Sequence, residues 1–188
     1  MMRITTDPDT TVRVSRVYRV PLLRMFDAWT DISLLSQWWG PFPGGEGDTH
    51  ELIFEPRPYG EFHWVLSDSC GRLHTINGEV REVVAREKIL FSWIASEGTP
   101  HFDHDDHHEQ DGRRRHLENA DSDESLVNVD FREGQGIEVR ILHTKLPDRE
   151  TRDALEAGWD AALERLERFL QSRGRADRSG AEAELAWA

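Results

Sequence analysis

The sequence has 188 residues, a formal charge of −13 and a single cysteine, and each of these numbers excludes a class of protein. At this length we expect one domain of about 150 residues with short appendages. So negative a chain is a poor partner for nucleic acids or anionic membranes, which both attract basic surfaces. One cysteine excludes an intrachain disulfide, and no apolar run reaches the ~20 residues of a membrane span. We therefore expect a cytoplasmic protein, with the monomer and the homodimer both left open.

The first predicted strand covers residues 12–20, after a polar N-terminus at 1–11 that we expect to be flexible. Its apolar residues share one phase of a two-residue repeat: Val12, Val14, Tyr18 and Val20. Arg16 has the same phase. Either a bulge interrupts this strand or an arginine faces inward.

Two short helices are predicted next, because Pro21 suits the first turn of a helix and apolar residues then recur at helical spacing. Asp31 can cap the second helix, which should stop at Gly40. Trp38 and Trp39 lie at its end. Two adjacent tryptophans at the end of a short helix cannot easily both be buried, so they either line or gate the mouth of a cavity or pack under the rim of the sheet.

Six further strands are predicted, at residues 50–55, 60–67, 74–84, 88–95, 126–132 and 137–144. Short turns rich in glycine and proline separate several of them, which favours an antiparallel sheet. The period then changes to that of an amphipathic helix from about 148 to 171. Its apolar face is predicted to consist of Leu155, Trp159, Ala162, Leu166 and Phe169. Residues 173–188 lose this pattern and are predicted to form a flexible tail.

A polar insertion at residues 99–125 interrupts the predicted domain, which spans residues 12–172. It places five histidines among many carboxylates, and both are metal ligands: His101, His104, His107, His108 and His116. Their spacing would align them only on a helix, and the segment has little apolar content to support one. We therefore predict a disordered, solvated loop and no metal site.

Several short motifs follow one another in a specific order: Ala28-Trp29-Thr30-Asp31, Trp38-Trp39-Gly40-Pro41, Gly60-Glu61-Phe62, Gly78-Glu79-Val80, Leu90-Phe91-Ser92-Trp93, and Gly158-Trp159 before Leu163 and Leu166. In this order they resemble the small domains related to the C-terminal domain of the activator of Hsp90 ATPase, within the START-like (SRPBCC) superfamily. The resemblance covers roughly residues 12–170. It implies an α+β helix-grip fold, in which a seven-stranded antiparallel sheet wraps around a long C-terminal helix and two short helices follow the first strand.

The resemblance also implies a ligand cavity between the sheet and the C-terminal helix. The residues predicted to line it are Trp38, Trp39, Phe62, Trp64, Ile76, Gly78, Val80, Phe91, Trp93, Val129, Phe131, Trp159 and Leu163. Gly78 lies in the middle of a strand, where a missing side chain leaves space. Such a lining suits a small apolar or aromatic molecule. We predict a non-catalytic binding protein without a cofactor, with a stress-related role as one expectation.

Two alternatives are kept. The first is an enzyme of the same fold, a hydrolase or cyclase that uses a cavity histidine or glutamate. The candidate residues are His63, Glu79 and His143. Strand alternation, however, places His63 on the outer face of the sheet. The second is an Hsp90-type chaperone adaptor that acts through an exposed apolar patch. The sequence has no glycine-rich phosphate loop, paired-cysteine motif or G-x-S-x-G elbow, which argues against most cofactor enzymes.

Overall fold

Seven antiparallel strands form one sheet, and a long C-terminal helix packs against its inner face. The computed structural model describes residues 7–40, 47–68, 70–97 and 124–185, without the side chains of residues 97 and 175–185. A short 3-10 turn (Pro8–Thr10) precedes β1 (Val12–Tyr18), α1 (Leu22–Thr30) and α2 (Ile32–Leu35). The remaining elements are β2 (Thr49–Phe54), β3 (Glu61–Ser67), β4 (Leu73–Val84), β5 (Lys88–Glu97), β6 (Ser125–Glu133), β7 (Ile137–Thr144) and α3 (Arg149–Leu185).

The strand order is β1-β7-β6-β5-β4-β3-β2, and every neighbouring pair is antiparallel. Strands β2 to β7 therefore pair in chain order, while β1 joins the sheet beside β7. The segment containing α1 and α2 connects the two edge strands, β1 and β2. The predicted helix-grip architecture is confirmed.

The core lies between the inner face of the sheet and α3. Strands β6 and β7 alternate buried and more exposed residues along their length, as half-buried strands do. Four of the five residues predicted for the apolar face of α3 are buried, and Leu155 packs at the edge of the core. The change of period near residue 148 therefore marks a real change from sheet to helix.

Arg16 faces the helix side of the sheet. The register of β1 against β7 is continuous and pairs Arg16 with the buried Val139, so no bulge interrupts the strand. The side chain stays about one-third exposed and reaches the edge of the core, where its Nη1 lies 3.3 Å from Oε2 of Glu167 on α3. Of the two alternatives left by the sequence, the inward arginine is the one observed.

The short helix α2 is capped as predicted, since the Asp31 carboxylate accepts a hydrogen bond of 2.8 Å from the backbone N–H of Ser33. The prediction that Trp38 and Trp39 cannot both be buried is wrong, because they are only 2% and 4% exposed. Trp38 packs against Trp29 and donates its indole N–H to the carbonyl of Ala28, while Trp39 points into the sheet–helix gap. A turn after α2 thus directs two adjacent rings to two buried positions.

Four predicted boundaries are corrected. Strand β1 ends at Tyr18 and not at residue 20, and α2 ends at Leu35, before the predicted stop at Gly40. Helix α3 continues to Leu185, well past the predicted end near residue 171, so most of the predicted tail is helical. Strand β6 begins at Ser125, which had been assigned to the insertion, and Ser125 is buried. The flexible N-terminus at 1–6 and the histidine-rich segment at 98–123 lie outside the described residues.

Candidate functional site

The thirteen residues predicted to line a cavity come together in the gap between the sheet and α3. Twelve of them are buried, and Gly78 is half-buried. They reach the gap from β3, β4, β5, β6, α3 and the turn after α2, and the twelve buried ones belong to one apolar cluster. We call this set of buried rings and aliphatic side chains the aromatic cluster. A ligand-binding role for it stays a prediction.

Trp39 occupies the middle of the aromatic cluster. Its ring centroid lies 5.7 Å from that of Trp64, 5.5 Å from that of Trp159 and 6.3 Å from that of Phe62, each with an edge-to-face arrangement. Such separations are the contact distances that aromatic pairs prefer. In the described residues, therefore, rings from the sheet, α3 and the α1–α2 segment pack directly on one another.

Gly78 does not leave empty space in the middle of its strand. A Cβ atom at this position would lie 2.0 Å from the carbonyl oxygen of Ser92 and 3.4 Å from a ring carbon of Phe62. The β5 backbone thus occupies the place where a side chain would begin. The interpretation of Gly78 as a space-making residue is wrong; glycine is required there for the close approach of two strands.

His143 is the predicted polar group that the structure places in the interior. Its side chain is fully buried between the rings of Trp93 and Trp159, with centroids at 5.5 and 6.3 Å. The indole N–H of Trp159 donates to Nδ1 over 3.3 Å, and Nε2 lies 2.8 Å from the Ser125 hydroxyl. That hydroxyl donates to the carbonyl of Trp93 over 2.9 Å. Both ring nitrogens of His143 are therefore engaged.

These hydrogen bonds assign the tautomer of His143. Because Nδ1 accepts from the indole, the proton of the neutral ring is on Nε2, which donates to Ser125. In a serine–histidine pair that activates a nucleophile, the hydrogen bond has the opposite direction, because the serine hydroxyl donates to the imidazole. Burial also lowers the pKa of His143 to about 3, so the ring is a weak base. The pair is a satisfied structural network and gives no support to the hydrolase alternative.

The buried neutral His143 predicts an acid-sensitive fold. In the unfolded chain the His143 ring takes up a proton near pH 6.5, whereas burial lowers its pKa to about 3 in the native protein. The contribution of the neutral ring to the free energy of unfolding is therefore complete above pH 6.5 and decreases as the pH falls below that value. The expected loss is about 1.4 kcal/mol per pH unit. Urea unfolding between pH 7 and 5, above the main carboxylate titrations, measures it. His143→Gln should flatten this dependence, and an unchanged slope in that variant would contradict the assignment.

The two other polar candidates do not face the aromatic cluster. His63 lies on the outer face, as alternation predicted, and its Nδ1 is 2.7 Å from the side-chain oxygen of Asn77. The Glu79 carboxylate binds Arg81 over 2.7 Å, and Arg81 also binds Glu124. These contacts are those of sheet-surface residues, so neither side chain is placed to act on a ligand in the gap.

The structure adds a polar group that the sequence analysis did not single out. Trp29 is 2% exposed, and its indole Nε1–H has no hydrogen-bond partner among the residues that the structure describes. Its ring lies 4.8 Å from that of Trp38, 5.7 Å from that of Trp39 and 6.0 Å from that of Phe131. A buried donor without an acceptor costs about 1–3 kcal/mol, so it calls for a partner. Trp29 belongs to one of the motifs quoted above, but a sequence motif carries no signal of an unused donor.

The described part of the chain contains no group of three or more histidine, cysteine or carboxylate side chains that could hold a metal ion. The five histidines at residues 101–116 are not in that part. Among the described helices, none is long and apolar enough to cross a membrane. Cys70 is exposed beside a turn. The aromatic cluster is therefore the site that the geometry supports best.

Solved structures share this fold. A Rhodobacter sphaeroides protein is 19% identical, with a TM-score of 0.62 over 89% of this chain and 98% of its own. A protein from Nitrosomonas europaea is 16% identical, with a TM-score of 0.64 over 90% and 99%. A protein of the dynemicin biosynthetic locus is 21% identical, with a TM-score of 0.60 over 87% of this chain and 48% of its own. At these identities the likeness establishes the fold alone.

A search among curated proteins found no match. The family described as activator of Hsp90 ATPase homolog 1-like protein matches residues 19–171, from the end of β1 to the last buried turn of α3. This range contains the helix pair, strands β2 to β7 and every residue of the aromatic cluster. The chain belongs to the family of activator of Hsp90 ATPase homolog 1-like proteins.

Proposed function

We propose that the protein binds a small, uncharged aromatic or apolar molecule in the aromatic cluster, and that it does so without catalysis. The observation that carries the proposal is the buried indole N–H of Trp29, which has no acceptor in the described residues. A ligand with a carbonyl or ether oxygen would supply that acceptor. Its apolar body would replace ring–ring contacts around Trp39 with ring–ligand contacts.

The chemistry of the cluster supports an uncharged ligand. Its residues are apolar, the satisfied network of His143 and Ser125 lies against them, and the lowered pKa of His143 keeps that ring neutral. Burying an unpaired charge in such surroundings is costly. Removal of apolar ligand surface from water contributes about 25 cal/mol per Å², so burial supplies most of the affinity.

Entry of the ligand requires the turn after α2 to move. Trp39 belongs to this turn, and α2 itself has only four residues, Ile32–Leu35. A helix of one turn has little stability of its own, so its position depends on the packing of Trp38 and Trp39. We infer that this segment opens and closes over the ligand. No observation on the described residues favours the chaperone-adaptor alternative.

The proposal is tested with two probes of nearly equal shape, 2-acetylnaphthalene and 2-isopropenylnaphthalene, of which only the first carries an acceptor oxygen. Quenching of tryptophan emission measures their binding. We expect stoichiometric binding, with a preference for the ketone of about tenfold, because one hydrogen bond to a buried donor is worth about 1.4 kcal/mol.

Trp29→Phe should remove the preference for the ketone, since it keeps a ring and loses the N–H. Trp38→Phe is the matched control, because the Trp38 N–H is already bound to the carbonyl of Ala28 over 2.8 Å. That control should keep the preference. Failure of both probes to bind the wild-type protein would overturn the proposed function, and an unchanged preference in Trp29→Phe would overturn the role of Trp29.

A further inference from the structure

A groove on the outside of the protein, between α1 and α3, gathers positive charge on a chain whose formal charge is −13. It consists of two pockets of about 370 and 610 Å³ that share Phe169. We call it the α1–α3 groove. The smaller pocket is lined by Pro21, Leu23, Arg24, Asp27, Ala28, Leu34, Phe169, Leu170 and Arg173. The larger and more open pocket is lined by Gln37, Arg165, Arg168, Phe169 and Ser172.

The larger pocket contains two arginines and no carboxylate in its lining. Among the described residues, neither Arg165 nor Arg168 has a carboxylate oxygen within 4.0 Å. Arg165 is half-buried, and its Nε and Nη2 donate to the carbonyls of Trp38 and Gly40 over 3.2 and 3.3 Å. Burial and the neighbouring Arg168 lower the pKa of Arg165, although Glu164 opposes this. Hydrogen bonds to two backbone carbonyls thus hold the guanidinium of Arg165 in place beside Arg168.

The smaller pocket has an apolar floor and a rim of apolar and charged side chains. Leu23 projects into solvent and is 52% exposed, while Leu34 and Leu170 lie deeper. Arg173 lies over the Phe169 ring, with 5.7 Å between the guanidinium carbon and the ring centroid. Arg24 and Asp27 complete the rim. Apolar surface therefore continues directly into the arginine pair across Phe169.

We propose that the α1–α3 groove binds a small amphiphilic anion, with its carboxylate or phosphate between Arg165 and Arg168 and its apolar chain in the smaller pocket beside Leu23. The guanidinium fork matches the paired oxygens of carboxylates and phosphates. An anion there meets two cations that no protein carboxylate neutralises within 4.0 Å in the described part of the chain. The apolar floor selects for an anion with a chain over a bare inorganic ion.

The test compares four probes by calorimetry at low ionic strength: octanoate, octyl phosphate, 1-octanol and inorganic phosphate. Octanoate and octyl phosphate carry both features and separate the carboxylate from the phosphate as the preferred head group. 1-Octanol carries only the apolar chain, and inorganic phosphate carries only the negative charge. At least one of the two amphiphiles should bind ten times more tightly than both single-feature probes. Equal binding of all four would overturn the proposal.

Two pairs of variants locate the site. Arg168→Gln should weaken binding of the better amphiphile at least tenfold, whereas Arg149→Gln, the same charge change at the exposed start of α3, should change it less than twofold. Leu23→Gln should weaken it at least fivefold, whereas Ile32→Gln removes a similarly exposed side chain that does not line the groove. Equal effects within either pair would contradict the assignment of the groove.

The inference does not depend on the proposed function. The groove lies between α1 and α3 and shares no residue with the predicted lining of the aromatic cluster. Naphthalene binding in the interior should survive Arg168→Gln, and amphiphile binding should survive Trp29→Phe. Each proposal can therefore fail while the other stands.

Discussion

Replacing Trp159 with alanine is expected to lower the free energy of unfolding by about 3–5 kcal/mol, the usual cost of deleting a large buried ring. The side chain is fully buried, and its ring centroid lies within 5.8 Å of those of Trp39 and Trp93. It also donates the hydrogen bond that satisfies Nδ1 of His143. Urea unfolding followed by far-ultraviolet circular dichroism measures the loss.

Trp159→Phe separates packing from hydrogen bonding at the same position. It keeps an aromatic ring and leaves Nδ1 of His143 without its donor, so we expect a loss of about 1–3 kcal/mol. The phenylalanine variant must be the more stable of the two. A loss below about 1 kcal/mol for Trp159→Ala would show that this ring does not hold α3 to the sheet.

Adding a single methyl group at Gly78 should also be strongly destabilising. The Cβ of alanine would lie 2.0 Å from the Ser92 carbonyl oxygen, which belongs to the backbone of β5 and cannot rotate away. We expect a loss of at least about 3 kcal/mol, at or above the upper end of ordinary overpacking. Thermal unfolding of Gly78→Ala and the wild type measures the difference.

Gly134→Ala is the matched control, because a Cβ in that hairpin turn would meet no atom closer than 4.0 Å. Its stability should change by less than about 0.5 kcal/mol. A Gly78→Ala protein as stable as Gly134→Ala would contradict the close approach of β4 and β5. It would also restore the earlier interpretation of Gly78 as a residue that makes room for a ligand.

The fold could be predicted because its elements have unmistakable periods. The strand at residues 137–144 and the apolar face through Trp159 and Phe169 both follow from spacing alone. The end of α3 could not be predicted in this way. Beyond Gly174 the helix has no regular apolar stripe, so its continuation to Leu185 leaves no periodic signal in the sequence.

The candidate site was predictable in its composition and less so in its geometry. Alternation identified the inward strand residues such as Phe62 and Trp64, because strand period decides which face a side chain occupies, and helical spacing identified Trp159. It could not show that Gly78 faces a carbonyl, that Trp38 and Trp39 are both buried, or that the Trp29 N–H lacks an acceptor. Those facts depend on distances between elements far apart in the chain.

The position of β1 in the sheet has a consequence for the order of folding. Strands β2 to β7 pair with their neighbours in sequence, whereas β1 pairs Val12 with His143 and Tyr18 with Ile137, across almost the whole domain. Closing so long a loop costs entropy that only the finished β7 can offset. On the ribosome, the first strand to be synthesised must wait unpaired until residue 144 has emerged. The charges of Arg13 and Arg16 within β1 disfavour the pairing of this strand with other chains while it waits.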